Sequence, residues 1–185
     1  MQVGNLKNKR KKGFTLVELL IVVIVIGILA SIAIVSYNGT QKRARDSKRL
    51  NDISEITKAL EVYYSVNHKY PTGGGASIIN NTWSASGDSS WDAFEAALGP
   101  YMDNNVPSDP INTPPPADPL VAVGYDYAYY STSSSWCGAA GNQYYILVYR
   151  LEASPQTNTL IGNCPTNPLG PFPLQFTSNY RVTRL

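Results

Sequence analysis

One unbroken apolar segment constrains this chain more than any other feature. It runs from Phe14 to Val35, 22 residues in which Glu18 is the only charge. An α-helix of about 20 residues crosses the roughly 30 Å of hydrocarbon in a bilayer, so the segment predicts a membrane-spanning helix. A secretory signal peptide is the alternative, but its apolar part usually has about 7–15 residues. The small residues of 30–33 that would mark its cleavage site lie inside the run.

Charge is distributed unevenly along the 185 residues, although the formal net charge is only +2. Residues 1–13 hold five basic side chains and no acid, which predicts a cytoplasmic N-terminus. Residues 70–185 hold three basic and eight acidic side chains. This is not the even basic coat of a DNA-binding domain. One His and two Cys exclude a Cys₄ zinc site and most His-based metal sites.

The segment 37–70 has the periodicity of an amphipathic helix. Apolar residues recur at steps of three and four, and most of the charged residues fall on the other face. No proline occurs between residues 14 and 70, so one continuous helix of about 50 residues is expected. It should end before Pro71, because the residue preceding a proline is pushed out of the α region.

The remainder of the chain predicts a small head. A short helix is expected from Ser89 to Leu98, with Gly99-Pro100 as its stop. Strands are expected at Val123 to Ser131 and at Gln143 to Glu152, joined as an antiparallel hairpin, with a third at Tyr180 to Arg184. The fold class is therefore α+β, with a long N-terminal helix packed on a small antiparallel sheet. The predicted organisation is a leader (1–13), a membrane or filament-core helix (14–36), an amphipathic helix (37–70) and a globular head (71–185).

Glu18 is the anomaly of the apolar run. A carboxylate in a membrane helix costs roughly 2.5–3.5 kcal/mol on insertion scales. A cut between Gly13 and Phe14 would create an amino group four residues before Glu18. The amine and the carboxylate would then neutralise one another, within one chain or between neighbours. The alternative is a Glu18 near the membrane interface with no partner.

The stretch KKGFTLVELLIVVIVIGILASIAIVSY resembles the signal and N-terminal helix of type IV pilins and type II secretion pseudopilins. The match is specific at Gly13, Phe14, Thr15, Leu16 and Glu18, and the likeness extends over about residues 9–70. It implies a pilin-like lollipop fold. It also implies that a prepilin peptidase cuts between Gly13 and Phe14 and methylates the Phe14 amine.

The resemblance further implies a role for Glu18 in assembly, and it includes one departure. In the family this glutamate pairs with the terminal amine of a neighbouring subunit, which sets the register of the filament. Most members have a proline near the end of the apolar run, where this chain has Val35. That proline lets the helix loosen in the filament, and Gly27 and Gly39 are weaker substitutes.

Other candidate sites lie in the second half of the chain. Cys137 and Cys164 would lie outside the cytoplasmic membrane, where a disulfide is plausible, and the resemblance implies a comparable bridge; two free buried thiols are the alternative. Major pseudopilins bind calcium in a comparable loop, but no ligand spacing is recognisable here. The acidic loop residues are Asp103, Asp109, Asp118 and Asp126.

Two surfaces suggest partners. The basic stretch 42–49 would meet acidic heads of neighbouring copies, phospholipid headgroups or solvent. The many Tyr and Trp residues favour core packing over a sugar or DNA contact.

The sequence therefore predicts a structural subunit, major or minor, of a type IV pilus-like filament. It would be neither an enzyme nor a cofactor-binding protein, and would be made as a single-pass precursor of the cytoplasmic membrane. Its partners would be membrane lipid, the peptidase, an inner-membrane assembly platform and other copies of itself in a periplasmic or extracellular filament. The first alternative is a major pseudopilin of type II secretion. The second is a monomeric membrane-tethered domain that binds glycan or DNA.

Overall fold

The computed structural model describes residues 13–75, 83–103, 105–114, 124–135, 139–153 and 179–184. For Ala33, Val35, Ser36 and residues 179–184 the description is limited to the backbone. The chain divides into two compact units, with the boundary between Gln41 and Lys42.

One long helix, α1, runs without interruption from Leu16 to Asn67, a length of 52 residues. The continuous helix expected from the absence of proline is therefore confirmed. It ends because His68 adopts a left-handed backbone conformation with φ 55°. The His68 N–H donates a last helical hydrogen bond to the carbonyl of Tyr64 at 2.8 Å. His68 thus takes the place of the glycine that usually ends a helix in this way.

Four antiparallel strands form one sheet in the order β1-β2-β3-β4. Their bounds are β1 Trp83–Ala85, β2 Ala128–Tyr130, β3 Tyr145–Arg150 and β4 Asn179–Arg184. The predicted hairpin and third strand are confirmed as β2, β3 and β4. β2 has three residues instead of the nine expected, and the equally short β1 was not predicted.

The short helix α2 spans Trp91–Leu98, two residues later than expected. Ser90 precedes it but makes no side-chain cap; its hydroxyl accepts the backbone N–H of Ala85 at 2.8 Å. The α-helix ends at Leu98, directly before Gly99 and Pro100, as expected. They form a 3₁₀ turn over Gly99–Tyr101, in which a proline near the first position is tolerated.

The core of the second unit lies between the C-terminal part of α1 and the sheet. Ile53, Ile56 and Leu60 point from α1 into one buried cluster. In β3, the residues at every second position contribute to it, as the two-residue period of a strand requires. These are Tyr145, Leu147 and Tyr149. The expected α+β fold, with an amphipathic helix packed on a small antiparallel sheet, is confirmed.

Leu60→Ala should lower the free energy of unfolding of the second unit by about 3 kcal/mol, because the removed methyl groups leave a cavity in the core. Leu60 is fully buried, whereas Leu50 on the same helix is 41% exposed. The control Leu50→Ala should cost less than about 1 kcal/mol. Denaturant unfolding of the full chain in detergent, followed by near-ultraviolet circular dichroism of the tyrosines, measures both. Equal losses in the two variants would contradict the assignment of the core.

Candidate functional site

The first turn of α1 is closed by a reciprocal pair of side chains, Thr15 and Glu18. The backbone N–H and the hydroxyl of Thr15 each donate to Oε2 of Glu18 at 2.8 Å. The N–H of Glu18 donates back to Oγ1 of Thr15 at 3.2 Å. This is a capping box, in which two otherwise unpaired backbone donors are satisfied. The spacing Thr-x-x-Glu before an apolar run is the sequence signal for a capping box, but this capping box was not predicted.

The Gly13–Phe14 peptide lies just before the helix. Residues 13–15 have no helical or strand structure, and the side chain of Phe14 is 86% exposed. A peptidase must bind its substrate in an extended form, which a residue inside a hydrogen-bonded helix cannot adopt without unwinding. The predicted cleavage point thus lies before the first turn of α1, and cleavage there stays a prediction.

The following turns of α1 carry apolar side chains that no described residue of the first unit covers. From Leu16 to Ile34, the large apolar side chains are all between 48% and 85% exposed. A helix that is apolar on every side is stable only inside a protein core or a membrane. Within the described residues, α1 is also the single helix long and apolar enough to cross a membrane.

The second unit contains a buried ion cluster around Arg49, whose side chain is fully buried. Its Nη1 lies 2.9 Å from Asp46 and 2.7 Å from Glu152, and its Nε lies 2.7 Å from Asp109. The guanidinium also lies over the ring of Tyr125, 4.8 Å from its centroid. Three carboxylates and an aromatic ring replace the water that this cation loses on burial.

The cluster fixes three parts of the chain to one another. Arg45 makes a two-pronged contact with Glu152 at 2.6 Å, and Asp46 accepts the backbone N–H groups of Glu152 and Ala153. α1 is thereby joined to the end of β3, while Asp109 joins it to the loop after α2. The hydrogen bond from Arg45 holds the pKa of Glu152 at about 2, with Arg49 adding to the effect.

This cluster corrects two expectations about the basic stretch 42–49. Periodicity assigned Arg49, and Asp52 just beyond the stretch, to the polar face of the helix, but both are buried. Arg45 and Arg49 are engaged within the chain and are not available to a neighbour's head. Sequence periodicity predicts that charged residues are exposed, because it contains no information about the ion-pair partners, far away in the chain, that allow a charge to be buried.

Asp126 is a second buried carboxylate of the same unit. It is 8% exposed, and its Oδ2 has no hydrogen-bond partner among the described residues. Burial, together with the negative charges of Asp109 and Asp88, raises its pKa to about 7. Below about pH 7 the folded chain therefore holds a proton here that an ordinary aspartate would have lost.

The remaining predicted sites are the disulfide and the acidic loops considered for calcium. Cys137, Cys164 and Asp118 lie outside the described residues. Asp109 binds Arg49 with both carboxylate oxygens. In the part of the chain that the structure describes, no group of three or more His, Cys, Asp or Glu side chains could hold a metal ion.

An uncovered apolar helix that begins at an accessible Gly-Phe peptide, followed by a helix-on-sheet head, defines a pilin-like protein. Comparison with known families agrees with this class for the apolar helix and for much of the head. The prokaryotic N-terminal methylation motif matches residues 8–34. The family described as type II secretion system (T2SS), protein G, matches residues 36–133, just over half of the chain. The chain therefore belongs to the type II secretion protein G family.

Individual relatives give the same picture over shorter stretches. The type II secretion system core protein G of Aeromonas hydrophila is 36% identical over 67 residues, which cover 36% of this chain and 47% of the relative. That of Escherichia coli K12 is 38% identical over 63 residues, covering 34% and 43%. The type IV major pilin protein PilA of Myxococcus xanthus is 40% identical over 63 residues, covering 34% and 29%. The chain thus spans less than half the length of these relatives, and no solved structure matches it.

Asp126→Asn should make the chain more stable above pH 7. The pKa of Asp126 is about 7 in the folded chain and 3.8 ordinarily, so between these values the unfolded chain has lost a proton that the folded chain keeps. The free energy of unfolding therefore falls as pH rises through this window, by about 4 kcal/mol for three pKa units. Asparagine has no proton to lose, so the difference between variant and parent should grow from pH 4 to pH 7 and then level off.

Denaturant unfolding of the full chain in detergent at several pH values measures this difference. The control is Asp92→Asn, which removes an exposed aspartate of α2. Parallel stability curves for the Asp126 variant and its parent would show that Asp126 is ionised in the fold like any surface carboxylate.

Proposed function

We propose that this chain is a major pseudopilin, a structural subunit of a type II secretion filament. In this proposal it is made as a single-pass precursor of the cytoplasmic membrane, with its basic leader inside and its head outside. A prepilin peptidase removes residues 1–13 and methylates the new amino group of Phe14. The inner-membrane assembly platform then transfers the chain into the filament.

The observation that carries this proposal is the uncovered apolar first half of α1. Such a surface leaves the bilayer only if an equally apolar surface receives it. The same segment in other copies is such a surface, since helix can pack on helix where lipid was before. Filament formation is therefore the natural fate of this helix once it is extracted from the membrane.

Glu18 sets the stagger between copies in this proposal. In the single chain its carboxylate is occupied by Thr15 at the helix start. Cleavage after Gly13 supplies a positive amine, and the carboxylate of one copy pairs with the Phe14 amine of the next. A wrong stagger would leave a charge unpaired in an apolar bundle, which costs several kcal/mol.

The sequence alone predicts a subunit of a type IV pilus-like filament, whereas the comparisons favour the alternative, a pseudopilin of type II secretion. The protein G family covers residues 36–133 and so includes much of the head. The pilus remains a second candidate because the Myxococcus xanthus pilin is a relative over 63 residues. Deleting the gene should block export of a secreted protein if the first proposal holds. It should remove surface pili while leaving export intact if the second one does.

Glu18→Gln should abolish filaments without preventing processing. Glutamine keeps the shape of the side chain and its acceptor oxygen for Thr15 but loses the charge that pairs with an amine. The control is Gln41→Glu, which changes the same two groups in the opposite sense at an exposed position further along α1. Sheared filaments and intact membrane protein are measured in cells that contain the assembly machinery.

The intact mass of both variants should correspond to a chain that begins at N-methyl-Phe14. A membrane-tethered binding domain, the alternative of a different class, would tolerate Glu18→Gln. Normal filaments in the Glu18 variant, or filaments that retain residues 1–13, would overturn the proposal.

A further inference from the structure

A groove on the head lies between the exposed side of α1 and the segment after the 3₁₀ turn. Two carboxylates border it, Glu55 from α1 and Asp103 from the segment after the turn. Tyr101, Val62 and Met102 supply its apolar lining. Lys58 also lines it and leaves one net negative charge. The groove is thus acidic and part apolar, with an aromatic ring in its wall.

The aromatic wall is held in place by its neighbours. The ring of Tyr101 packs edge-on against Tyr63, with 5.3 Å between centroids. Its hydroxyl accepts a hydrogen bond from the side-chain amide of Asn67 at 3.1 Å. A fixed ring beside two carboxylates is the chemistry that receives an arginine: the guanidinium pairs with carboxylate, stacks on the ring, and the stem covers apolar surface.

Among the four arginines whose side chains the structure describes, one is suited to this groove. Arg45 and Arg49 are bound to Glu152, and Arg150 lies over the ring of Tyr125. Arg43 is exposed, and the described residues offer it no partner. Lys42 beside it is exposed as well, which adds positive charge to the same place.

Arg43 cannot reach the groove of its own chain. It precedes Glu55 by twelve residues of continuous helix, a distance of about 18 Å along the axis at 1.5 Å per residue. An arginine side chain spans less than half of that. A second copy displaced along the axis has no such limit.

We infer that Arg43 of one copy docks in the groove of a second copy, between Glu55, Asp103 and Tyr101. This inference rests on the proposed function and gives it a contact between heads. The two surfaces involved are different patches of the molecule, so the contact is heterologous. Such a contact repeats without closing when the rotation does not complete a ring, and it then generates a helical filament.

A charge exchange tests the docking in cells that make filaments. Arg43→Asp and Asp103→Arg should each lower the yield of sheared filaments about tenfold, because each places like charges together. The chain with both changes should recover at least half of the yield. Lys69→Asp and Asp92→Arg make the same changes of charge at exposed positions outside the two surfaces and should leave it unchanged. Full yield in both single variants would overturn the inference.

A cross-link separates this inference from the proposed function. One full-length copy carries Arg43→Cys, the other Asp103→Cys, and each has its own tag; a short bis-maleimide is added to membranes and to filaments. A product with both tags, above the level given by either substituted copy alone, is expected. If that product forms but filaments do not, the docking holds and the proposed function fails. If filaments form without the product, the docking is wrong and the proposed function stands.

Discussion

The first half of α1 has apolar side chains on every side, and the described residues of its own unit do not cover them. This single constraint determines which surroundings the helix can have. Water cannot be the permanent surroundings of a helix whose large side chains are at least 48% exposed from Leu16 to Ile34. A bilayer is one solution and a bundle of sister helices is the other. In the proposed function the chain uses both in turn, and Glu18 at the helix start is the group that we propose changes its partner between them.

The second half of α1 has a different role, which is to hold the head in a fixed position. It does so with an apolar face and with the ion cluster of Arg49. The apolar face stabilises the packing, but its contacts are not directional. Arg49 adds direction, because its three carboxylate partners come from α1, from the loop after α2 and from the end of β3. A slide of the helix by one turn would leave a buried cation unpaired, so the cluster selects one position of the helix on the sheet.

Much of this architecture could be predicted from the sequence because local patterns encode it. The apolar run, the absence of proline before Pro71 and the alternation in β3 gave the long helix and the main hairpin. Sequence patterns gave wrong predictions where the burial of a residue depends on partners that are distant in the chain. Arg49 and Asp52 read as surface charges because their burial depends on residues such as Asp109, 60 positions away in the chain from Arg49. The three-residue strand β1 carries too little pattern to be recognised and exists because β2 pairs with it.

The candidate site could be predicted only in part, again because sequence patterns encode local features and not long-range ones. Gly13, Phe14 and Glu18 lie in one short segment, and the resemblance of that segment to the signal of the pilin family predicted their roles, which stay predictions. The hydrogen bonds between Thr15 and Glu18 are equally local. They were not predicted, because Glu18 was interpreted only as a charge in a membrane and not as a residue that caps a helix. The groove beside Tyr101 could not be foreseen, since it joins residues of α1 to a segment more than forty positions later.

The central claim is that the apolar helix exchanges lipid for other copies of itself. A photo-reactive amino acid in place of Ile24, in the middle of the apolar run, tests it most directly. In the membrane-bound pool, irradiation should give lipid adducts of a single chain. In purified filaments, it should give covalent dimers joined through residues of the same run. Filaments whose Ile24 position still reacts only with lipid, or with neither lipid nor protein, would contradict the account.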